Sequence, residues 1–347
     1  MSASVGRAPD FLSSYAEPVE AEMRAILSSP DPMLEPLFLI LRYHMGWSDR
    51  RGSSQSGRGK RVRPVLCLLA CEAAGGDPQV AVPAAASVEL LHNFSLVHDD
   101  IEDKSPARRG RETVWSLWGV PLAINAGDAI LILAHQAIHG LRERGLPASS
   151  VQKASAVLHS AGRALFEGQY LDLVWEDAPA PTVSEYLVMA ERKTAALLGA
   201  ACHIGAIAAG AEDGPSGLLR EFGRDLGLAF QVTDDILGIW GDSAQTGKPV
   251  GEDLLRGKKS LPVAFGLEEE RRRGEGALAK LLDRPPAQED LAAAVSLLAE
   301  LGAPEHATRL AESYLESALG HLSGSGLEGE AVSRLEELAN YTVHRLA

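Results

Sequence analysis

Apolar residues recur along most of the chain at the three- and four-residue spacing of amphipathic helices. Polar, glycine-rich or proline-rich stretches separate these segments, and no stretch of useful length alternates between apolar and polar positions as a strand does. The pattern therefore predicts an all-α protein. The predicted helices include segments at residues 65–74, 83–103, 121–141, 148–176, 183–210 and 215–240.

Two polar loops that carry basic residues interrupt the helical pattern. The first covers residues 48–64 and ends at Pro64, which suits the first turn of the next helix. The second covers residues 241–260. Residues 1–30 are expected to form a loosely attached leader with a short helix. We expect residues 31–347 to form a single helical domain, because one domain can reach this size.

Composition and charge exclude several classes of protein. Hydrophobic residues make up 46% of the chain and charged residues 23%, as in ordinary globular proteins. The net charge of −14 argues against a nucleic-acid binder. The apolar stretch 195–211 is too short and too rich in small residues for a membrane span, and the first residues do not resemble a signal peptide. Three cysteines in apolar surroundings indicate a reducing, cytoplasmic location.

An acidic cluster, DDIED, ends the predicted helix at 83–103. On a helix Asp99, Asp100 and Asp103 can project toward one side, where their like charges repel. A divalent cation would relieve that repulsion, and ligands that are all oxygen atoms favour Mg²⁺, although Mn²⁺ is also possible. The cluster alone fits a solvated acidic helix end equally well.

A second acidic pair, Asp234–Asp235, follows the apolar stretch LGLAFQVT. The segments LVHDDIED and QVTDDILG both place Asp-Asp at the end of an apolar helix, and a loop with basic residues follows each. The two helix ends are therefore expected to face one cavity. In this arrangement carboxylates hold metal, metal holds a diphosphate, and basic side chains neutralise its remaining charge.

Seven motifs of the chain resemble those of the trans-isoprenyl diphosphate synthases, the head-to-tail prenyl elongases. They occur in the order and approximate spacing of that family: GRGKRVRP, ELLHNFSLVHDDIED, ARRGRETVW, FEGQYLD, ERKTAALLGAA, FQVTDDILG and TGKPVGEDLLRGKKS. The resemblance covers mainly residues 35–265. It implies an isoprenoid synthase fold, in which a helical bundle surrounds a deep apolar cavity, and a homodimer that acts on prenyl diphosphates.

The resemblance also implies roles for individual residues. Mg²⁺ would be held by Asp99, Asp100, Asp103, Asp234 and Asp235. The allylic diphosphate would be contacted by Arg108, Lys193, Thr194, Gln231, Lys248 and Lys258. Isopentenyl diphosphate would be held by Lys60, Arg63, His92 and Arg109. The expected catalytic set comprises Asp99, Asp100, Asp103, Lys193, Asp234 and Lys248.

The second acidic motif departs from the family pattern, because Gly238 stands where a third aspartate is usual. This departure puts the occupancy of that metal site in doubt. It also leaves open that this protein uses the same fold for cyclisation, or for prenylation of another acceptor, instead of elongation. A non-catalytic regulatory subunit is a further alternative, although such subunits typically lose one acidic motif.

Product length is expected to depend on the residues beneath Asp99. Phe94 lies five positions earlier, about one and a half helical turns deeper, where its ring would form a floor for the growing chain. A single aromatic residue there, without an insertion in the acidic motif, resembles geranylgeranyl diphosphate synthases. Farnesyl diphosphate is the second expectation, and ordinary core packing of Phe94 is the alternative.

Overall fold

The computed structural model describes residues 8–29, 31–55, 59, 61–176, 178–241 and 251–344. The first helices are α1 Leu12–Ile26, α2 Glu35–His44 after a short 3₁₀ turn, α3 Val62–Ala73, α4 Pro78–Glu102, α5 Val114–Trp118, α6 Val120–Ala137 and α7 Gly140–Glu143. The middle of the chain forms α8 Ala148–Glu176, α9 Val183–Ala190, a π-helix at Glu191–Ala195, α10 Ala196–Ala209 and α11 Asp213–Trp240. The last helices are α12 Glu252–Leu255, α13 Leu261–Arg273, α14 Ala277–Leu281, α15 Leu291–Glu300, α16 Ala303–Gly324 and α17 Glu330–Val343.

The predicted all-α architecture is confirmed, and a small hairpin adds to it. Strands β1 Ala107–Arg108 and β2 Arg111–Glu112 pair antiparallel directly after the acidic end of α4. Each strand has two residues, which is too short to leave an alternating pattern in the sequence. The hairpin folds the basic pair at 108–109 back toward the acidic cluster.

The core is built from α3, α4, α10 and α11, whose small side chains allow close packing. Gly205 on α10 shows how close the helices come. A Cβ atom at this position would lie 2.1 Å from the carbonyl oxygen of Cys67 on α3, which is far inside van der Waals contact. The apolar segment 195–211, predicted to be a buried helix, forms the end of the π-helix and α10 in this core.

Helix α1 corrects the expectation of a loosely attached leader. Tyr15, Val19 and Met23 are buried on one face of α1 and belong to the main core. Glu20 of the same helix is buried and pairs with Arg61, its Oε1 lying 2.6 Å from the guanidinium Nε. The expectation rested on weak patterning before residue 30, whereas the tertiary contacts of one face hold α1 in place.

Two helical segments are long and apolar enough to cross a membrane by composition alone. Most of the apolar part of α4 is buried inside the protein, so it is a core helix. The segment Val120–Glu143 is less buried and presents Leu122, Ile124 and Ile132 at the surface. The three cysteines are free and buried, as expected for a reduced protein.

Candidate active site

The acidic ends of α4 and α11 line one cavity of about 790 Å³. Within the described residues, this is the convergence predicted from the two Asp-Asp segments. Charged and polar residues outnumber apolar residues in its lining, although about half of its surface is apolar. The apolar residues of the lining include Val62, Met189, Leu198, Phe230 and Leu237.

The acidic end of α4 does not present its aspartates equally. Asp99 and Asp103 line the cavity, one helical turn apart. Asp100 is buried, and its Oδ1 accepts a 2.7 Å hydrogen bond from Nε of Arg108 on β1. Burial raises the pKa of Asp99 to about 6. The positive charge of Lys193 opposes that rise, and the negative charge of Asp103 adds to it. The charged form of Asp99 is therefore destabilised in the cavity, and a bound cation would remove this destabilisation.

At the end of α11, Asp234 and Asp235 both line the cavity, and Asp235 is also held by hydrogen bonds from the protein. The carboxylate of Asp235 accepts hydrogen bonds from the Tyr186 hydroxyl, from the backbone N–H of Leu261 at 2.8 Å and from the Gln231 amide at 3.0 Å. Burial raises the pKa of Asp235 to about 7, although these donors oppose the rise. Its contacts suit a residue that fixes Tyr186 and Gln231.

The π-helix carries Lys193, which lines the cavity, and Thr194, which is buried beside it. Lys193 forms an ion pair with Asp172 of α8, and the Thr194 hydroxyl donates to the Gln231 side-chain carbonyl at 2.6 Å. Burial alone would raise the pKa of Asp172, but Lys193 and Lys258 bring it below its ordinary value. A wide turn of this kind often marks a functional site, because it changes which side chains share a helix face.

Lys258 also lines the cavity, beside the predicted allylic diphosphate ligands Lys193 and Gln231. Arg108 lines it too, although its Nε already donates to Asp100. Two predicted contacts, Lys60 and Lys248, lie outside the described residues. The structure thus brings together the predicted allylic set of Arg108, Lys193, Gln231 and Lys258, with Thr194 bonded to Gln231.

A second group of basic residues lies in the same cavity. It consists of Arg63, His92 and Arg109, the described residues predicted to hold isopentenyl diphosphate. Burial lowers the pKa of Arg63 and of Arg109 below the ordinary value for arginine. Burial and the neighbouring arginines, Arg63 first, lower the pKa of His92 well below its ordinary value, so this imidazole is neutral. Buried cations this close repel one another, and an anion such as diphosphate would stabilise them.

The backbone of the basic segments is strained. Among the described residues other than glycine, only Arg61, Lys104 and Arg109 have positive φ, at 50°, 51° and 52°. Arg61 is fixed by Glu20 and Glu89, each at 2.6 Å from its guanidinium. Such strain costs about 1–3 kcal/mol per residue and occurs preferentially at functional sites.

The arrangement of carboxylates fits a divalent metal that is bound together with substrate. Asp99 and Asp103 stand on one helix end and Asp234 on another, and the described residues contain no closed cluster of three metal-binding side chains. Mg²⁺ commonly uses one or two carboxylates and completes its octahedral shell with water and phosphate oxygens. The two acidic helix ends are suited to that mode of binding.

Phe94, the predicted floor, is buried beneath the acidic cluster. Its ring contacts Phe166 of α8 edge to face, with 5.6 Å between ring centres, and lies 4.7 Å from the ring of His98. Phe166 itself is partly exposed. Phe94, His98 and Phe166 thus form a group of three rings from two helices, of which the sequence indicated one, and none of the three is among the residues that line the cavity.

Several charged side chains of the cavity were not singled out from the sequence. Asp172, Arg256 and Asp253 line it, and Arg256 reaches the Ser105 hydroxyl at 3.3 Å. The signal was present for Asp172 and Asp253, which stand inside the motifs FEGQYLD and GEDLLRGKKS. Tyr186 had no such signal, because its role depends on the packing of α9 against α11.

The chain is similar to proteins of one known family. The family model described as polyprenyl synthetase matches residues 53–298. The chain is 39% identical over 336 residues to a (2E,6E)-farnesyl diphosphate synthase of Mycobacterium tuberculosis, covering 95% of this chain and 91% of the relative. It is 42% identical over 297 residues to a geranylgeranyl diphosphate synthase of the same organism, covering 84% and 83%.

A solved structure extends the comparison to the fold. The geranylgeranyl pyrophosphate synthase of Corynebacterium glutamicum, in complex with isoprenyl diphosphate and magnesium, has a TM-score of 0.82 and 27% sequence identity. The match covers 96% of this chain and 98% of that one.

Proposed function

The chain belongs to the polyprenyl synthetase family and is an (E)-prenyltransferase, and we propose that its product is geranylgeranyl diphosphate. One observation carries the elongation reaction. The cavity holds two groups of basic residues: Lys193 and Lys258 interact most strongly with the carboxylates of Asp172 and Asp253, whereas Arg63 and Arg109 interact most strongly with that of Glu89. A head-to-tail elongase needs two diphosphate sites, of which one requires metal.

In this proposal Lys193, Gln231 and Lys258 hold the diphosphate of the allylic substrate, and Arg63, His92 and Arg109 hold that of isopentenyl diphosphate. Asp99, Asp103 and Asp234 are placed to hold Mg²⁺, which supplies positive charge to the allylic diphosphate. The family uses a divalent metal, and the oxygen donors of this cavity favour Mg²⁺ over a softer ion.

The reaction then follows from charge and position. The allylic C–O bond breaks and its electron pair leaves with the diphosphate, which Lys193 and Lys258 stabilise as its charge grows. The double bond of isopentenyl diphosphate attacks C1 of the allylic cation, which forms the new C–C bond. A proton is lost to the departing diphosphate, and the new double bond restores an allylic diphosphate one unit longer. No side-chain nucleophile is required.

Cyclisation is the main alternative, and the second cation group argues against it. A cyclase ionises one diphosphate and has no use for Arg63, His92 and Arg109 in the same cavity. A non-catalytic subunit is disfavoured as well, because both acidic helix ends line the cavity. The relatives include both farnesyl and geranylgeranyl synthases, and family membership alone therefore does not determine product length. In this proposal the ring of Phe94 determines it.

Equilibrium binding tests the two-site proposal. We would titrate the protein with isopentenyl diphosphate and with an unreactive thio analogue of geranyl diphosphate in the presence of Mg²⁺. The proposal expects both ligands to bind together. Arg63→Ala should weaken only the first ligand and Lys193→Ala only the second. Competition of the two ligands for one site would contradict the proposal.

The proposal also includes a dimer interface and a cytoplasmic location. A second copy of the chain would cover the exposed apolar face of α6, where a groove of about 380 Å³ runs between α2 and α6 and is lined by Phe38, Ile132 and Leu133. The reduced state of the buried cysteines supports a cytoplasmic location.

A further inference from the structure

The second acidic motif lacks its third aspartate, and the structure shows what occupies that space. Gly238 lies four residues after Asp234, on the same face of α11. A Cβ atom built on Gly238 would lie 2.0 Å from Oδ2 and 2.6 Å from Cγ of Asp253. Real Cβ atoms do not come closer than about 3 Å to such atoms. The carboxylate of Asp253 therefore fills the position where a side chain at residue 238 would begin.

Asp253 reaches this position from another element. It stands on α12, where the neighbouring Leu254 is buried in the second apolar cluster, and its backbone carbonyl accepts from the N–H of Lys258 at 3.0 Å. These contacts fix the turn that carries the carboxylate. Asp253 lines the same cavity as Asp234, Asp99 and Asp103.

The charges around Asp253 are those of the metal and diphosphate site. Lys258 is half-buried, and although burial lowers its pKa, the charge of Asp253 leads the contributions that raise it above the ordinary value. Asp253 also adds to the rise in the pKa of Asp235. The carboxylate of Asp253 would thus act on the same cation as that of Asp234.

We propose that Asp253 replaces the missing third aspartate, so that Asp234 and Asp253 together hold the divalent cation on the α11 side of the cavity. Gly238 is then required for a steric reason, because a side chain there would displace Asp253. This inference rests on the proposed function, since it concerns the metal of that site. It removes the doubt that Gly238 raised about the second motif.

Metal binding provides a test that does not depend on turnover. We would measure Mn²⁺ binding by electron paramagnetic resonance in the presence of inorganic pyrophosphate. Asp253→Asn is expected to weaken binding of one class of ion by at least about tenfold. Gly238→Ala should have the same effect, because the methyl group displaces the Asp253 carboxylate. Asp283→Asn, which removes an exposed acid that does not line the cavity, is the matched control and should bind as wild type does.

A double variant separates lost ligation from lost folding. Gly238→Asp combined with Asp253→Gly moves the carboxylate from α12 to α11, and we expect it to recover Mn²⁺ affinity to within about threefold of wild type. The inference is overturned if Asp253→Asn binds Mn²⁺ as wild type does, or if the double variant melts as wild type does and fails to recover affinity. Turnover of the wild-type protein with prenyl diphosphates reports separately on the proposed function.

Discussion

At the scale of single residues, the site consists of charges that the protein alone does not balance. Asp99 lies near Asp103 and Glu102 as well as Lys193, and the charges of Arg63 and Arg109 act on each other and on His92. A bound cation would further stabilise the acids, and a bound diphosphate the bases. The sequence indicated these residue types through the motifs. It did not show that Asp100 and Asp235 are engaged by Arg108 and Tyr186, because those contacts depend on side-chain packing.

A buried histidine next to the arginines should make the stability of the protein depend on pH. Burial, with Arg108 and Arg109, lowers the pKa of His44 from 6.5 to about 3. Between these values the unfolded chain binds a proton that the folded protein does not bind. The free energy of unfolding therefore falls as the pH decreases from 6.5 toward 3, by at most about 1.4 kcal/mol per pH unit from this group.

Urea denaturation at several pH values between 4.5 and 7.5 measures this effect. His44→Gln should lose stability less steeply on acidification than wild type. His139→Gln, which changes an exposed histidine, should keep the wild-type slope. If His44→Gln and wild type have parallel profiles, His44 does not have the lowered pKa that its surroundings indicate.

At the scale of elements, helix ends and one wide helical turn place the functional groups. The sequence predicted the limits of α8 at 148–176 and the acidic ends of α4 and α11. It predicted one continuous helix at 183–210, where the structure has α9, the π-helix and α10. A π-turn changes the face of a helix without changing its periodic pattern, so the sequence gives little sign of it.

Gly168 on α8 should be necessary for the position of the π-helix. A Cβ atom there would lie 2.3 Å from the backbone nitrogen of Lys193. Gly168→Ala is expected to push the π-helix away, to cost about 1–3 kcal/mol in stability and to weaken binding of the allylic diphosphate analogue. Calorimetric melting and ligand titration measure the two effects. Gly217→Ala, in open space on α11, is the control for adding a methyl group to a helix. Wild-type affinity in Gly168→Ala would show that Lys193 does not depend on this contact.

The floor under the acidic cluster should set product length. Phe94→Ala removes the ring that packs on Phe166 and His98, so the growing chain can descend further. We expect products at least one isoprene unit longer than those of wild type, as measured by chromatography of the dephosphorylated alcohols. Phe265→Ala, whose ring stacks on His306 outside the cavity lining, should leave product length unchanged. An unchanged product in a stably folded Phe94→Ala protein would leave Phe94 with a packing role only.

At the scale of the whole molecule, two distant parts of the chain meet at one cavity. The paired Asp-Asp segments were enough to predict that meeting, because both end apolar helices that must be buried. The contact of Asp253 with Gly238 could not be predicted, although Asp253 stands inside a recognised motif, since this contact depends on how α12 folds back on α11. The sequence also did not predict the packing of α1, because its apolar face is buried only by tertiary contacts with α3 and α4.

The exposed apolar face of α6 should be an interface between two copies. Ile132 is 57% exposed beside the groove between α2 and α6. Ile132→Asp is expected to shift the protein from dimer to monomer in sedimentation velocity, because a buried unpaired charge is costly at an interface. Val188→Asp, which changes an exposed residue on α9, should leave the assembly as it is. A monomeric wild type, or an Ile132→Asp dimer of unchanged affinity, would exclude this face as the interface.

The central claim is that this protein adds isopentenyl units to allylic diphosphates. The most direct test is to incubate the purified protein with Mg²⁺, labelled isopentenyl diphosphate and, separately, dimethylallyl, geranyl and farnesyl diphosphates, and to size the labelled products. We predict incorporation from all three primers, with products that end at geranylgeranyl diphosphate. No incorporation of label, with the allylic diphosphate still consumed to hydrocarbon or alcohol, would contradict the account and identify a cyclase.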